Sequence, residues 1–413
     1  MFGSVKKGYN KIQRMTKSFQ ALLIAALLIT SISIYYVSYS EINKNQTDLK
    51  MLMTAALIIR NGDASNLYNL EVQKEYQQSL IGKSSELGGV LPFRILPIAA
   101  LPYMPFTTVS FQTAYLIIYI LNLLFILCIL SVSVKLFNIT KLAALGQLVF
   151  IPVIATVITG QNSFVMLAIY CVLFFALSKR NFGLLGVLAC LLFLKPQHVL
   201  LIPFILLIAQ PNKKALFRFI AGLSAGTIIL FVLNTAIYKD ITFIFDYSKF
   251  ILNTEYSIYG SSPEYNHSLL AVVHLTARIF NTQNMNLVLY TAAIGIPIYL
   301  LALANLRKHK NKPVDFLFGI SVIFTIIINL HITATDASVL VIPIMILTKY
   351  FKFSYKIPLL AWILFMPLPM LGLGGFAWIF ALGALFIAFY LLRMNLADNI
   401  TSEKTTNQAI LSQ

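Results

Sequence analysis

Residues 182–210 read FGLLGVLACLLFLKPQHVLLIPFILLIAQ, two apolar runs broken once, by Lys195-Pro196-Gln197-His198. A helix needs about 20 apolar residues to cross a hydrocarbon core of ~30 Å, so two crossings take about 40. Only 29 residues are available here. Both helices are then short. Their joint is expected beneath the membrane surface, lining a cavity, because non-helical backbone and a cation are tolerated at that depth only where lipid does not reach them. Pro196 suits the first turn of the second helix, where its missing N–H costs no hydrogen bond. The plainer reading of Lys195 is a side chain that snorkels to the interface along its own methylenes.

Outward from this pair, apolar runs predict about a dozen spans. They lie near residues 19–39, 111–134, 141–159, 162–178, 182–194, 197–210, 215–237, 286–305, 314–331, 336–350, 355–371 and 374–393. The 413-residue chain is 59% hydrophobic and 11% charged, with a mean hydropathy of +0.82, which excludes an ordinary soluble domain. The fold class is therefore all-α, a polytopic membrane bundle. Its formal charge of +17 comes from short Lys/Arg clusters between apolar runs. That is the pattern of cytoplasmic loops beside anionic lipid headgroups, not of a nucleic-acid surface.

With the basic N-terminal segment inside, 21 of the 31 Lys and Arg fall in cytoplasmic loops and 11 of the 14 Asp and Glu fall outside. Both termini are expected in the cytoplasm. Residues 21–37 lack an A-x-A-like cleavage site, so they are expected to stay as the first span. One integral membrane domain over 1–396 and a cytoplasmic tail over 397–413 are expected. Cys128, Cys171 and Cys190 all lie in apolar runs, which points away from a disulfide framework or a metal site.

Two outer segments, about 40–110 and 238–285, are too short for large cores of their own. Each holds an apolar stretch, 49–59 and 269–280, suited to an amphipathic helix at the interface. Residues 91–105, with Pro92, Pro97, Pro102 and Pro105, predict an irregular or re-entrant approach to the second span. The turn His331-Ile332-Thr333-Ala334-Thr335-Asp336 joins two further short spans and brings a titratable pair to the same face; a simple loop salt bridge is the alternative. Gly160-Gln161-Asn162 opens to that face too, where its amides serve equally well as helix caps. Asp63, after Arg60-Asn61-Gly62, stands at the lip of the membrane, although an Asp after Asn-Gly is commonly a turn residue. Pro263-Glu264-Tyr265-Asn266-His267-Ser268, with Arg278 beyond it, is another outer polar cluster, or a solvated loop with a helix cap.

Taken in order, these motifs resemble glycosyltransferase family 87, membrane enzymes of GT-C architecture that use polyprenyl-phosphate sugars. The resemblance runs from Asp63 to about Pro343. It rests chiefly on Gly160-Gln161-Asn162-Ser163, then Lys179-Arg180, then Leu194-Lys195-Pro196-Gln197, which look like the family's G-Q-N and K-P-Q blocks. Asp63 with Tyr68, the Pro-rich approach, Asn266-x-Ser268-Leu269 and Asp336-x-x-x-Leu340 agree in order. The first loop departs from the family's Asp-aromatic-x-x-Tyr-Tyr form, since Asp63 has Tyr68 alone. The resemblance implies transfer of a sugar, usually mannose, on the extracytoplasmic face of the inner membrane. The donor would be a polyprenyl-phosphate sugar and the acceptor a lipid-linked or cell-envelope glycan. It also implies an acidic general base in the first outer loop, which carries over to Asp63.

The residues suit that chemistry, because polyprenyl phosphate is already a good leaving group and needs only fixed cations beside it. Lys195 is the first candidate for the donor phosphate, with Arg94, His198 and Arg278 as helpers. Asp63 is the first choice of general base and Asp336 the second. Gln161, Asn162, Gln197, Asn266, His267, His331 and Tyr68 are candidate substrate contacts. No close carboxylate pair supports a retaining double displacement, so a single inverting step is expected. Without a D-x-D cluster, neither a metal nor a cofactor is called for. The rival readings are a secondary transporter and a lipid-glycan flippase or polymerase; transporters tend to have repeated halves, and no repeat is found here.

Overall fold

The computed structural model describes residues 22, 24–44, 47–82, 89–255, 266–280, 287–347, 349–350 and 377–393, and all regular structure among them is helical. In chain order the first helices are α1 (Ile24–Glu41), α2 (Leu49–Arg60), α3 (Leu70–Ile81), α4 (Phe111–Leu136), α5 (Lys141–Leu145), α6 (Ile151–Thr159), α7 (Ser163–Ser178) and α8 (Phe182–Ala189). They are followed by α9 (Leu201–Ala209), α10 (Lys213–Tyr238), α11 (Phe243–Glu255), α12 (Leu269–Ile279), α13 (Leu287–Lys308), α14 (Val314–Ile327), α15 (Val341–Leu347) and α16 (Ala377–Arg393). The chain is a polytopic helical membrane protein.

Among the described residues, α1, α4, α10 and α13 are long and apolar enough to cross a bilayer alone, and Lys141–Val149 with Ile151–Thr159 makes a fifth span if its 58° bend is allowed. Other expected spans are shorter apolar helices of 10–17 residues, so twelve full crossings do not emerge. The expected span 355–371 lies outside the described residues, as do the basic segment 1–20 and the tail 397–413. On α10, Phe217, Ile228, Ile229 and Val232 face outward uncovered, as lipid-facing side chains do.

The short pair has the predicted geometry. α8 continues as the 3-10 turn Cys190–Leu194, and the two together rise only ~22 Å. Pro196 opens the next 3-10 turn, Pro196–Leu200, which leads into α9. Glycines let α8 and α10 meet backbone to backbone. A Cβ on Gly186 would lie 2.1 Å from the Phe219 carbonyl oxygen, and one on Gly222 would lie 2.3 Å from that of Gly183. Small residues at such crossings are the usual means of close helix packing in membranes.

The stretch expected to lie at the interface as an amphipathic helix forms α2, but α2 is mostly interior: nine of its residues are buried, Lys50 among them. The reason is its composition. Apart from Lys50, Thr54 and Arg60 it is apolar on all sides, so α3 and the 3-10 run Pro97–Thr108 cover it. The Pro-rich approach is irregular, as expected, and α3 supplies its missing hydrogen bonds. Gln73 Oε1 accepts from Phe93 N at 2.7 Å, while Gln77 accepts from Leu91 N at 2.9 Å and donates to the Leu91 carbonyl at 3.2 Å. Asn234 Oδ1 of α10 accepts from Ile98 N at 2.9 Å.

The bundle has two distinct ends. At one, Lys349 Nζ donates to the Phe137 carbonyl at 2.8 Å and to Asp315 Oδ2 at 2.6 Å, and Lys312 Nζ to the Leu391 carbonyl at 3.4 Å. At the other lie the turns before α7, around Lys195 and before α15.

Candidate active site

Lys195 stands at the joint between the two short helices and is 7% exposed. A cation there needs partners, and two separate segments bring them. Its Nζ lies 2.5 Å from Asp336 Oδ1 and 3.1 Å from Ser163 Oγ, the first residue of α7. Lys195 is thus buried at the joint in an ion pair rather than snorkelling, and Asp336 pairs with Lys195 as well as standing near its loop neighbour His331. Asp336 is saturated: Oδ1 also receives Ser163 Oγ at 3.4 Å, and Oδ2 receives Thr333 N at 3.3 Å and Thr333 Oγ1 at 3.0 Å. His331 stands close enough to Asp336 for their charges to interact.

The turn carrying Asp336 is fixed from three sides. Asn266 Oδ1 accepts from Ile332 N at 3.2 Å and its Nδ2 donates to the Leu330 carbonyl at 3.2 Å. His267 N donates to the Ile332 carbonyl at 2.8 Å, with its ring edge-on to Phe380 of α16. Asn329 Nδ2 donates to the Gln197 carbonyl at 2.7 Å, joining this turn to the Lys195 joint, and Thr156 Oγ1 of α6 donates to the Thr335 carbonyl at 3.2 Å. His198 is fully buried; its Nδ1 meets Tyr170 OH at 2.8 Å.

Ser163 Oγ also lies 3.3 Å from Gln161 Oε1, its one hydroxyl proton being shared between that oxygen and Asp336 Oδ1, and Gln161 Nε2 donates to Asp48 Oδ2 at 2.8 Å. Asp48, just before α2, is half-buried. Gly160 makes this approach feasible: its φ is +69°, which favours glycine, and a Cβ there would sit 2.9 Å from Leu49 Cβ. A polar chain thus runs Asp48, Gln161, Ser163, Lys195, Asp336 across four segments distant in sequence. Asn162, half-buried, sits beside it at the start of α7.

The other candidates are dispersed. Asp63 follows the far end of α2, ~18 Å of helix from Asp48; it is exposed and accepts a hydrogen bond from Tyr76 OH. That bond, foremost, pushes the pKa of the Tyr76 hydroxyl above its ordinary value, because deprotonation would set two anions together. Tyr68 is packed against Tyr238, Tyr247 and Phe250, and its OH donates to the Ile95 carbonyl at 3.0 Å. Arg94 is half-buried in the stretch pinned by α3, and Arg278 is exposed in the last turn of α12, ~15 Å along the helix from Ser268. Pro263, Glu264 and Tyr265 lie outside the described residues.

The family model for glycosyltransferase family 87 matches residues 97–330, more than half of the chain. The chain belongs to glycosyltransferase family 87. It is therefore a membrane glycosyltransferase, with donor and acceptor substrates. The matched region of the family 87 domain includes Gln161, Lys195 and Asn266; Asp48 and Asp63 precede it, and His331 and Asp336 follow it. No curated protein and no solved structure matches the chain.

Sequence reasoning passed over Asp48 and gave Ser163 no role. A signal for Asp48 existed: followed by Leu49, Leu52 and Met53, it has the spacing of the family's Asp-aromatic-x-x-Tyr-Tyr form with aliphatic residues in the aromatic places. Ser163 has no such signal, because a serine at a helix start usually caps it.

Proposed function

We propose that this family 87 enzyme moves a sugar, mannose by preference, from a polyprenyl-phosphate donor to a lipid-linked or cell-envelope glycan on the extracytoplasmic face of the inner membrane. The observation that carries this reading is the buried Lys195, held by Ser163 and Asp336 at the end of the bundle opposite Lys349 and Lys312. The latter end, with its Lys/Arg-rich turns, is the cytoplasmic one by charge, which leaves the Lys195 end outside.

Lys195 would accept the donor phosphate. As the C1–O bond to phosphate breaks, negative charge grows on the departing oxygen, and a fixed ammonium in a water-poor site stabilises it without reorganising. The acceptor hydroxyl attacks C1 from the opposite face, forming the new glycosidic bond with inversion, and loses its proton to a carboxylate. Asp48 is the carboxylate best placed for this. It is half-buried and joined through Gln161 and Ser163 to Lys195. Asp336 has both oxygens engaged and is 4% exposed, so its part is to hold Lys195. Asp63 is held by Tyr76 at the far end of α2.

The test is transfer of radiolabelled sugar from a polyprenyl-phosphate sugar into membrane lipids by the purified protein in nanodiscs. Asp48→Asn should lower kcat on the order of 10²–10⁴-fold, while Asp63→Asn should stay within about threefold of the parent. An inactive Asp63→Asn with an active Asp48→Asn would return the base to Asp63, and absence of any transfer would remove the polyprenyl-phosphate reading.

A further inference from the structure

Both ends of the Gln161 amide are occupied: Nε2 by Asp48 Oδ2 at 2.8 Å, Oε1 by Ser163 Oγ at 3.3 Å. The serine in turn receives Lys195 Nζ at 3.1 Å. An amide held at both ends is fixed in orientation. We infer that Gln161 is a positioning residue, which fixes the separation between the proton-accepting carboxylate of Asp48 and the phosphate-binding ammonium of Lys195 and keeps Asp48 ionised. The inference rests on the proposed role of Asp48.

The physical basis is twofold. A donor N–H aimed at a carboxylate favours its charged form, so removing the donor makes the group easier to protonate. The amide also couples two groups from unrelated segments. Asp48 precedes α2, whereas Lys195 ends the 3-10 turn after α8, and neither element alone sets their spacing. Gly160 holds the bracket in place by letting its turn lie against Leu49.

Other charges act on Asp48 as well. Lys44 and Lys50 flank it in sequence, and Lys195 with Asp336 stand across the Gln161–Ser163 bridge. Packed on α2, helix α3 brings Glu71, Lys74 and Glu75, while the run Pro97–Thr108 brings no charge. None of these changes when Gln161 is replaced by Met, so a pH shift in that variant is attributed to loss of the amide.

The experiment compares the parent with Gln161→Met, of similar size and without a donor, and Gln161→Glu, which sets a second carboxylate against Asp48. Two quantities are measured on the full-length protein in nanodiscs. One is the acid limb of kcat/KM for the polyprenyl-phosphate sugar. The other is the infrared titration midpoint of Asp48, isolated by subtracting the matching Asp48→Asn spectrum, which needs no turnover. Gln161→Glu should raise both by more than about 1 pH unit, because two adjoining carboxylates share a proton. Gln161→Met should raise both by less. Midpoints unmoved in both variants, with slowed transfer in Gln161→Met, would reduce Gln161 to a structural residue and overturn the inference. If the parent transfers no sugar, the proposed function falls, and the infrared midpoints still decide the Gln161 link: a shift supports it and no shift overturns it.

Discussion

Lys195 is held 2.5 Å from Asp336 Oδ1 and 3.1 Å from Ser163 Oγ in a place almost sealed from water. Removing one member of such a pair strands the other charge, at a cost of about 3–5 kcal/mol, whereas removing both costs far less. Lys195→Met and Asp336→Leu should therefore each lower the detergent melting temperature sharply, and the double variant should recover most of it. Transfer activity should stay lost in the double variant, because the phosphate then has no cation. A double variant that regains both would make the pair purely structural. The burial of Lys195 at a break between two short helices was legible from the 29-residue count. Its partner was not, because Asp336 lies 141 residues further along the chain and hydrophobic patterning carries no information on which turns meet.

The elements repeat this division. The shortness of α8 and α9, the place of Pro196 and the irregular stretch before α4 all follow from residue spacing. The burial of α2 was misread, because an apolar stretch beside a span suits an interfacial helix as well as an interior one, and only the coverage by α3 decides. Likewise Gly222-x-x-x-Gly226 on α10 marks a close-packing face in the sequence, but only the structure shows that α8 is the helix it meets. Gly222→Val would drive a side chain into the Gly183 carbonyl oxygen. It should lower stability by at least about 2 kcal/mol, read as an earlier melt in nanodiscs, whereas Ile229→Val, facing outward on the same helix, should change little. Equal effects of the two would mean that α8 and α10 do not meet there.

For the whole molecule, orientation rests on charge asymmetry. A cysteine placed at exposed Glu75 of α3 should react with a membrane-impermeant maleimide in intact cells, and one at Lys310, between α13 and α14, should react only after lysis; the opposite result would invert the topology and put the Lys195 end in the cytoplasm. By itself the sequence determined the helical membrane class, because hydropathy and helix length are local quantities fixed by the bilayer. The order of its motifs pointed to the family that the family model then matched. Only the tertiary structure decided which polar residues meet. It joined Asp48, Gln161, Ser163, Lys195 and Asp336 into one chain and set Asp63 apart at the other end of α2, because pairing across separate helices depends on how their buried faces pack.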